Sequence, residues 1–303
     1  MTDSGPRGGI PRWVLLTNLV AQVGIVLTGG LVRLTGSGLG CPTWPRCVPG
    51  SYTPVAHQAE GYHKQIEFSN RLLTFVVGVA ALLALAATSR AVRSGAVQRR
   101  MLWLGALPLV GVFAQALLGG LTVLTGLSPV TVAAHFLLSM LLITGSTLLL
   151  LRGRPEFQVG WPAPARPELR LLGRVIVLVA AVVLVLGTVV TGSGPHSGDQ
   201  DTPRFGFDPG AVSRLHAGVV WLFVGLVVAL VVGLTVLSAP PAARRRARLL
   251  LGVTLAQGVI GYLQYALGLP IVVVAGHLLG AGLLVVAIVA AVEAIGGRRR
   301  VSP

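Results

Sequence analysis

Ile271–Val292 reads IVVVAGHLLGAGLLVVAIVAAV, a run of 22 residues without one charged side chain. At about 1.5 Å per residue, roughly 20 apolar residues in a helix cross a hydrocarbon core of about 30 Å. This stretch is therefore a membrane span. Leu171–Val190 (LLGRVIVLVAAVVLVLGTVV) and Gly218–Leu237 have the same character. Working outward from them, the apolar runs place helices at 13–34, 66–89, 101–124, 130–151, 169–191, 212–237, 246–267 and 271–295. Of the 303 residues, 53% are hydrophobic and only 11% charged. A soluble domain carries about 25% charged residues, so this chain lacks the polar surface to face water. The expected class is an all-α membrane protein of eight transmembrane helices, multi-pass in the cytoplasmic membrane.

A formal charge of +15 invites a nucleic-acid partner, but its placement excludes one. Loops rich in arginine alternate with loops that are not. Arg7 and Arg12, Arg90 to Arg100, Arg152 to Arg174, Arg244 to Arg248 and Arg298 to Arg300 account for 18 of the 24 Lys and Arg residues. The positive-inside rule then places both termini in the cytoplasm, as an even number of spans requires. Anionic lipid headgroups are the expected partner of that charge. No small-residue cleavage site interrupts the first apolar run as it passes Leu27, so the first helix is expected to be retained.

The chain reads as a duplication. Thr35-Gly36-Ser37-Gly38 ends the first helix, and Thr191-Gly192-Ser193-Gly194 ends the fifth, 156 positions later. Ala114-Gln115 precedes His135 by 20 residues from the glutamine, and Ala256-Gln257 precedes His277 by the same 20. That second offset is 142, and it also carries Gly119 onto Gly261. The expected organisation is two tandem, related four-helix bundles, 1–155 and 156–303, in parallel orientation.

Histidines are costly inside a lipid-bounded bundle, which directs attention to ligand roles. His135, His216 and His277 lie four to six residues inside the outer ends of their helices, roughly 6–10 Å below the rim. Imidazoles at one level in a bundle suit heme or metal. His216 and His277, both in the second half, could clamp one heme as its two axial ligands. A buried histidine bonded to a backbone carbonyl is the structural alternative for each, weaker for His135 and His277 because they recur at matching positions. His57, His63 and His196 fall in loops and are expected to be solvated or at a heme edge.

An offset of 146 sets Asn70 opposite His216, so the first half presents asparagine where the second presents histidine. Glu67 lies three residues earlier on the same helical face, with Arg71 four residues beyond it. An intramembrane carboxylate is a functional candidate; the alternative is a helix-start glutamate neutralised by Arg71 and the helix dipole. Cys41 and Cys47 share one extracytoplasmic loop, GCPTWPRC, where a disulfide persists. Two free thiols or a metal-binding pair are the alternatives. No GxxxxGK[ST] or strand–GxGxxG–helix context supports a nucleotide.

Taken together, Gly30 to Pro42, Glu67-Phe68-Ser69-Asn70-Arg71, Gln115 to His135-Phe136, Thr191 to Asp199, Arg214-Leu215-His216 and Gln257 to His277 resemble the heme A synthase family of cytochrome oxidase assembly enzymes. The resemblance covers nearly the whole chain. It implies oxidation of the C8 methyl group of heme O to a formyl group, giving heme A. It also implies heme b as cofactor on His216 and His277, heme O on His135, and Glu67 as the catalytic carboxylate. Asn70 and, more weakly, Arg71 would contact the substrate. Many family members carry a second histidine at the position of Asn70. Asparagine is a poor iron ligand, so His135 is expected to be the sole protein ligand of the substrate iron, with His63 the weaker substitute.

The implied partners are heme O, heme O synthase, cytochrome oxidase assembly factors, membrane lipid and further copies of the chain. Two rival classes remain in view. A membrane heme b electron-transfer subunit between a quinone and a partner would use the same histidine pair without needing Glu67. A transporter would show helices broken near the midplane, whereas the polar residues here gather at the outer rim.

Overall fold

The computed structural model describes residues 9–153, 166–199 and 201–296. The expected boundary at 155/156 and Arg7, Arg154 and Arg298 to Arg300 lie outside the described residues. Among those described are eight helices: α1 Arg12–Leu34, α2 His63–Arg93, α3 Met101–Leu124, α4 Pro129–Arg152, α5 Pro167–Ser193, α6 Pro209–Val236, α7 Pro241–Ala266 and α8 Ile271–Gly296. All eight are long and apolar enough to cross a membrane. In hydrocarbon only a helix satisfies its own backbone N–H and C=O groups, and this chain is a multi-pass membrane protein with eight such helices among its described residues.

Local chemistry sets the ends. Proline occupies the first turn of α4, α5, α6 and α7, where its missing N–H is lost without penalty. Asp208 caps α6 by accepting from the Ala211 N–H at 2.7 Å. The helices depart from the sequence expectation by three residues or more at three starts. α2 begins at His63 rather than 66, α6 at Pro209 rather than 212, and α7 at Pro241 rather than 246. In α7 the early proline presets the first turn, and Arg244 to Arg248, good helix formers, continue it.

The turns after α3 and α7 are the same device. Gly126 and Leu127 have φ of 60° and 59°, and Gly268 and Leu269 have 73° and 64°. The Leu127 N–H donates to the Thr122 C=O at 2.9 Å, and the Leu269 N–H to the Gln264 C=O at 2.7 Å. Each pair thus closes its helix with a left-handed cap. A leucine there is strained by about 1–3 kcal/mol. Leu127 is 6% exposed, and its burial against Gly38 and Gly198 offsets the strain.

α1 to α4 pack in a ring, each helix against its sequence neighbours and α1 against α4; α5 to α8 do the same. Each ring has its own apolar core, the first around Leu15, Ile143 and Leu149, the second around Phe223, Val227 and Leu230. The rings meet where α8 lies on α1 and α4, and α4 on α5. Glycine permits the approach, since a Cβ on Gly30 would collide with Leu278. Polar ties cross the seam, and in the loops the Gly38 N–H donates to the Gly198 C=O at 2.9 Å. Arg152 donates to both oxygens of Glu293, at 3.0 and 2.6 Å, and Arg33 Nη2 donates to the Thr191 C=O at 2.6 Å.

Candidate functional site: a histidine-lined cavity

One cavity of about 2310 Å³ reaches into both rings, with His135, His216, His277, Glu67, Asn70 and Arg71 all on its wall. An ordinary single-ligand site holds roughly 300–1,000 Å³, so this space suits more than one large ligand.

The three histidines share a depth. His135 is six residues from the start of α4 at 129, His277 six from the start of α8 at 271, and His216 seven from the start of α6 at 209. At 1.5 Å per residue this is about 9–10 Å into each helix. Each ring rests on a glycine of the neighbouring helix. A Cβ on Gly119 would lie 3.5 Å from His135 Cε1, one on Gly261 3.4 Å from His277 Cε1, and one on Gly187 3.4 Å from His216 Cε1. Gln115 Nε2 donates to the His135 C=O at 3.1 Å, and Gln257 Nε2 to the His277 C=O at 3.0 Å. Each glutamine therefore joins its helix to the turn that carries the imidazole.

Asn70 completes the pattern. A Cβ on Gly29 would lie 3.8 Å from Asn70 Nδ2, so asparagine and Gly29 face each other as His216 and Gly187 do. Buried polar atoms without a protein partner include His216 Nδ1, His277 Nδ1 and Asn70 Oδ1. His216 Nδ1 and His277 Nδ1 lie on the side of each ring turned to Gly187 and Gly261, 3.9 Å from the place of the glycine's Cβ, which leaves Nε2 of each imidazole for a ligand in the cavity. Two imidazoles on the wall of one cavity, each set against a glycine of the neighbouring helix, fit the ligand set of a heme. His216 and His277 would hold it.

Glu67 is 5% exposed and is held by three donors. Oε2 accepts from the Cys41 N–H at 2.5 Å, and Oε1 from Arg71 Nε and Nη2 at 3.0 and 2.6 Å. A carboxylate offers about four lone-pair positions, which leaves one, on Oε2. Arg71 makes five hydrogen bonds, the other three to the carbonyls of Cys41, Thr43 and Arg46. That uses every N–H of a guanidinium. The pair thus clamps the loop that Cys41 and Cys47 close as a disulfide, with Cα atoms 4.4 Å apart. From this loop Trp44 lies against Gly120 of α3, where a Cβ would fall on its ring, and lines the cavity.

The remaining histidines stand apart. His57 is exposed. His63 Nδ1 bonds Ser37 Oγ at 2.8 Å, and His196 Nε2 bonds the Leu269 C=O at 2.9 Å. Sequence reasoning missed Gly29 and Gly187, whose partners are unrelated to them in spacing, and it missed Trp44. It passed over Arg33 within a motif, although Arg33 lines the cavity at the seam with its Nε unpaired.

Fold and cavity together define a multi-pass membrane protein with matched histidine niches in two helical rings. The cytochrome oxidase assembly protein family, COX15-CtaA, matches residues 12–196, and this chain belongs to that family. It is similar to the heme A synthase of Lysinibacillus sphaericus, 37% identical over 143 residues that cover 46% of this chain and 43% of that protein. Heme A synthase of Geobacillus thermodenitrificans is 32% identical over 145 residues, 46% and 42% of the two chains. That of Bradyrhizobium sp. is 33% identical over 209 residues, 59% and 55%. The matched stretches thus span about half or less of these relatives' length.

Proposed function

We propose that this chain is a heme A synthase, oxidising the C8 methyl group of heme O to a formyl group. The observation that carries this is the unequal pair of niches on one cavity. The second half offers two imidazoles, and the first offers one imidazole and an asparagine. A resident heme b, held by His216 and His277, supplies the redox chemistry that side chains lack.

The chain's own residues supply position and proton handling. His135 ligates the substrate iron, and Asn70 leaves the opposite side of that iron weakly held, so that substrate and product can exchange. Gln115 and Gln257 fix the turns bearing His135 and His277. Glu67, through its one free position on Oε2, accepts a proton or stabilises developing positive charge as the methyl C–H bonds break. Arg71, with its donors committed, acts on the substrate through Glu67 and the disulfide loop. The arginine-rich helix ends face the cytoplasm and the cavity opens toward the outer half of the bilayer. Residues 1–155 form the substrate half and 156–303 the cofactor half. Heme O synthase and cytochrome oxidase assembly factors are the proposed partners.

Pigment extraction from protein expressed with and without heme O synthase tests this. Heme b plus heme A is expected from the wild type, with heme O or a hydroxylated intermediate accumulating in Glu67→Ala. Heme b alone, despite a confirmed heme O supply, would instead indicate an electron-transfer cytochrome.

A further inference from the structure

Beyond the ligands, the two halves of the cavity wall differ where their helices face lipid. Trp221 on α6 and Tyr262 on α7 both line the cavity, yet they are 61% and 56% exposed. They therefore stand at its opening. The Trp221 indole N–H donates to the Tyr262 hydroxyl at 2.9 Å, joining two adjacent helices of the second ring. Membrane proteins gather aromatic residues near the interface, but that tendency alone would not bond two rings across neighbouring helices. Facing hydrocarbon, an indole N–H has no water to turn to, so the bond is not readily exchanged.

The first ring lacks this tie. The offset of 146 carries Trp221 onto Phe75, and the offset of 142 carries Tyr262 onto Gly120. Phe75 has no donor and is 73% exposed. Gly120 has no side chain, and its place is taken by Trp44 from the loop outside the ring.

We infer that the Trp221–Tyr262 hydrogen bond is a latch that closes the lipid-side mouth of the second-half cavity and retains the cofactor heme there. The corresponding Phe75–Gly120 mouth of the first half, with no such bond, is free to part for a substrate arriving from the bilayer. This inference rests on the assignment of heme b to His216 and His277. It makes Trp221 and Tyr262 positioning residues: neither touches iron, and both act by holding α6 against α7.

The test is heme loss from the purified holoprotein in nanodiscs to excess apomyoglobin, followed optically. Tyr262→Phe keeps the ring and removes only the hydroxyl, and Trp221→Phe removes the indole N–H together with part of the ring. Each is expected to lose heme b about two- to tenfold faster than wild type, the range that one neutral hydrogen bond supports. The double variant should be no faster than the faster single one. Unchanged loss in both single variants, or acceleration in only one of them, would overturn the latch. A second measurement needs no heme: the distance between spin labels at Leu222→Cys on α6 and Leu267→Cys just after α7, both exposed. A longer or broader distribution in Tyr262→Phe is expected, and an unchanged one would overturn the latch. Wild-type protein that binds no heme b would sink the functional assignment instead, leaving the label distances to judge the latch.

Discussion

The two halves of this protein build one niche twice and fill it differently. In the second, His216 faces Gly187 and His277 faces Gly261; in the first, Asn70 faces Gly29 and His135 faces Gly119. The glutamine bonds to the histidine carbonyls, 3.1 and 3.0 Å long, are also common to both. What differs is one side chain, Asn70 in place of a histidine, and a clamp. Only the first half carries the Glu67–Arg71 pair, held at 2.6 Å and fastened to a disulfide loop. On the proposed function, a duplicated scaffold separates a resident cofactor from a transient substrate by changing the few residues that decide how firmly each is held.

The comparison breaks most severely if the second niche does not hold heme b. His277→Ala and His216→Ala are each expected to purify with less than about one tenth of the wild-type heme b, read by pyridine hemochrome. A lost iron ligand far exceeds the roughly 1.4 kcal/mol that makes a tenfold change. His135→Ala should keep its heme b in full and lose heme O binding. Equal loss of heme b in all three would mean that the halves are not specialised.

Next comes the clamp. Glu67→Gln retains an acceptor for the Cys41 N–H but cannot take up a proton, and heme A formation is expected to fall about 10²- to 10⁴-fold. Arg71→Lys loses most of its five bonds while leaving the carboxylate, and about a tenfold fall is expected. Heme b should be unchanged in both. Equal falls in the two variants would reduce Glu67 to a fastening for the loop.

How much of this was legible in the sequence follows from which signals are local. The helices were, because twenty apolar residues in a row have one physical outcome in a bilayer; the span at 101–124 agrees with α3 at both ends. The disulfide and the imidazoles at common depth were also accessible, through spacing and duplication. The glycine opposite each ring was not. Gly187 and His216 are on different helices, and nothing in their separation says that they meet. The same holds for Trp44 on Gly120, a contact set by how a loop folds back over a ring of helices.

Asn70→His sharpens the contrast by making the first niche resemble the second. Gly29 leaves room beside Asn70, since its Cβ would lie no closer than 3.8 Å to Nδ2. Electron paramagnetic resonance of the substrate-loaded variant is expected to show a second low-spin, bis-histidine signal beside that of heme b, where the wild type shows only the one. A stronger hold on iron slows product departure, so turnover should fall about tenfold for roughly 1.4 kcal/mol of added binding. Low-spin bis-histidine signals from both hemes in the wild type would overturn the single-ligand assignment.

The smallest effect concerns the clearings themselves, and its two signs oppose each other. Gly187→Ala places a Cβ 3.4 Å from His216 Cε1, an ordinary contact that the fold accepts. Alanine also favours a helix over glycine by about 0.8–1 kcal/mol, so thermal stability of the heme-free protein should rise slightly. The same methyl restricts tilting of the imidazole toward iron, and heme b is expected to leave about two- to fivefold faster, roughly 0.5–1 kcal/mol. Gly29→Ala, which faces an asparagine, should raise stability without altering heme b loss. If Gly187→Ala strengthens both the fold and heme retention, the glycine serves helix packing alone, and its match with Gly29 across the two halves carries no information about ligands.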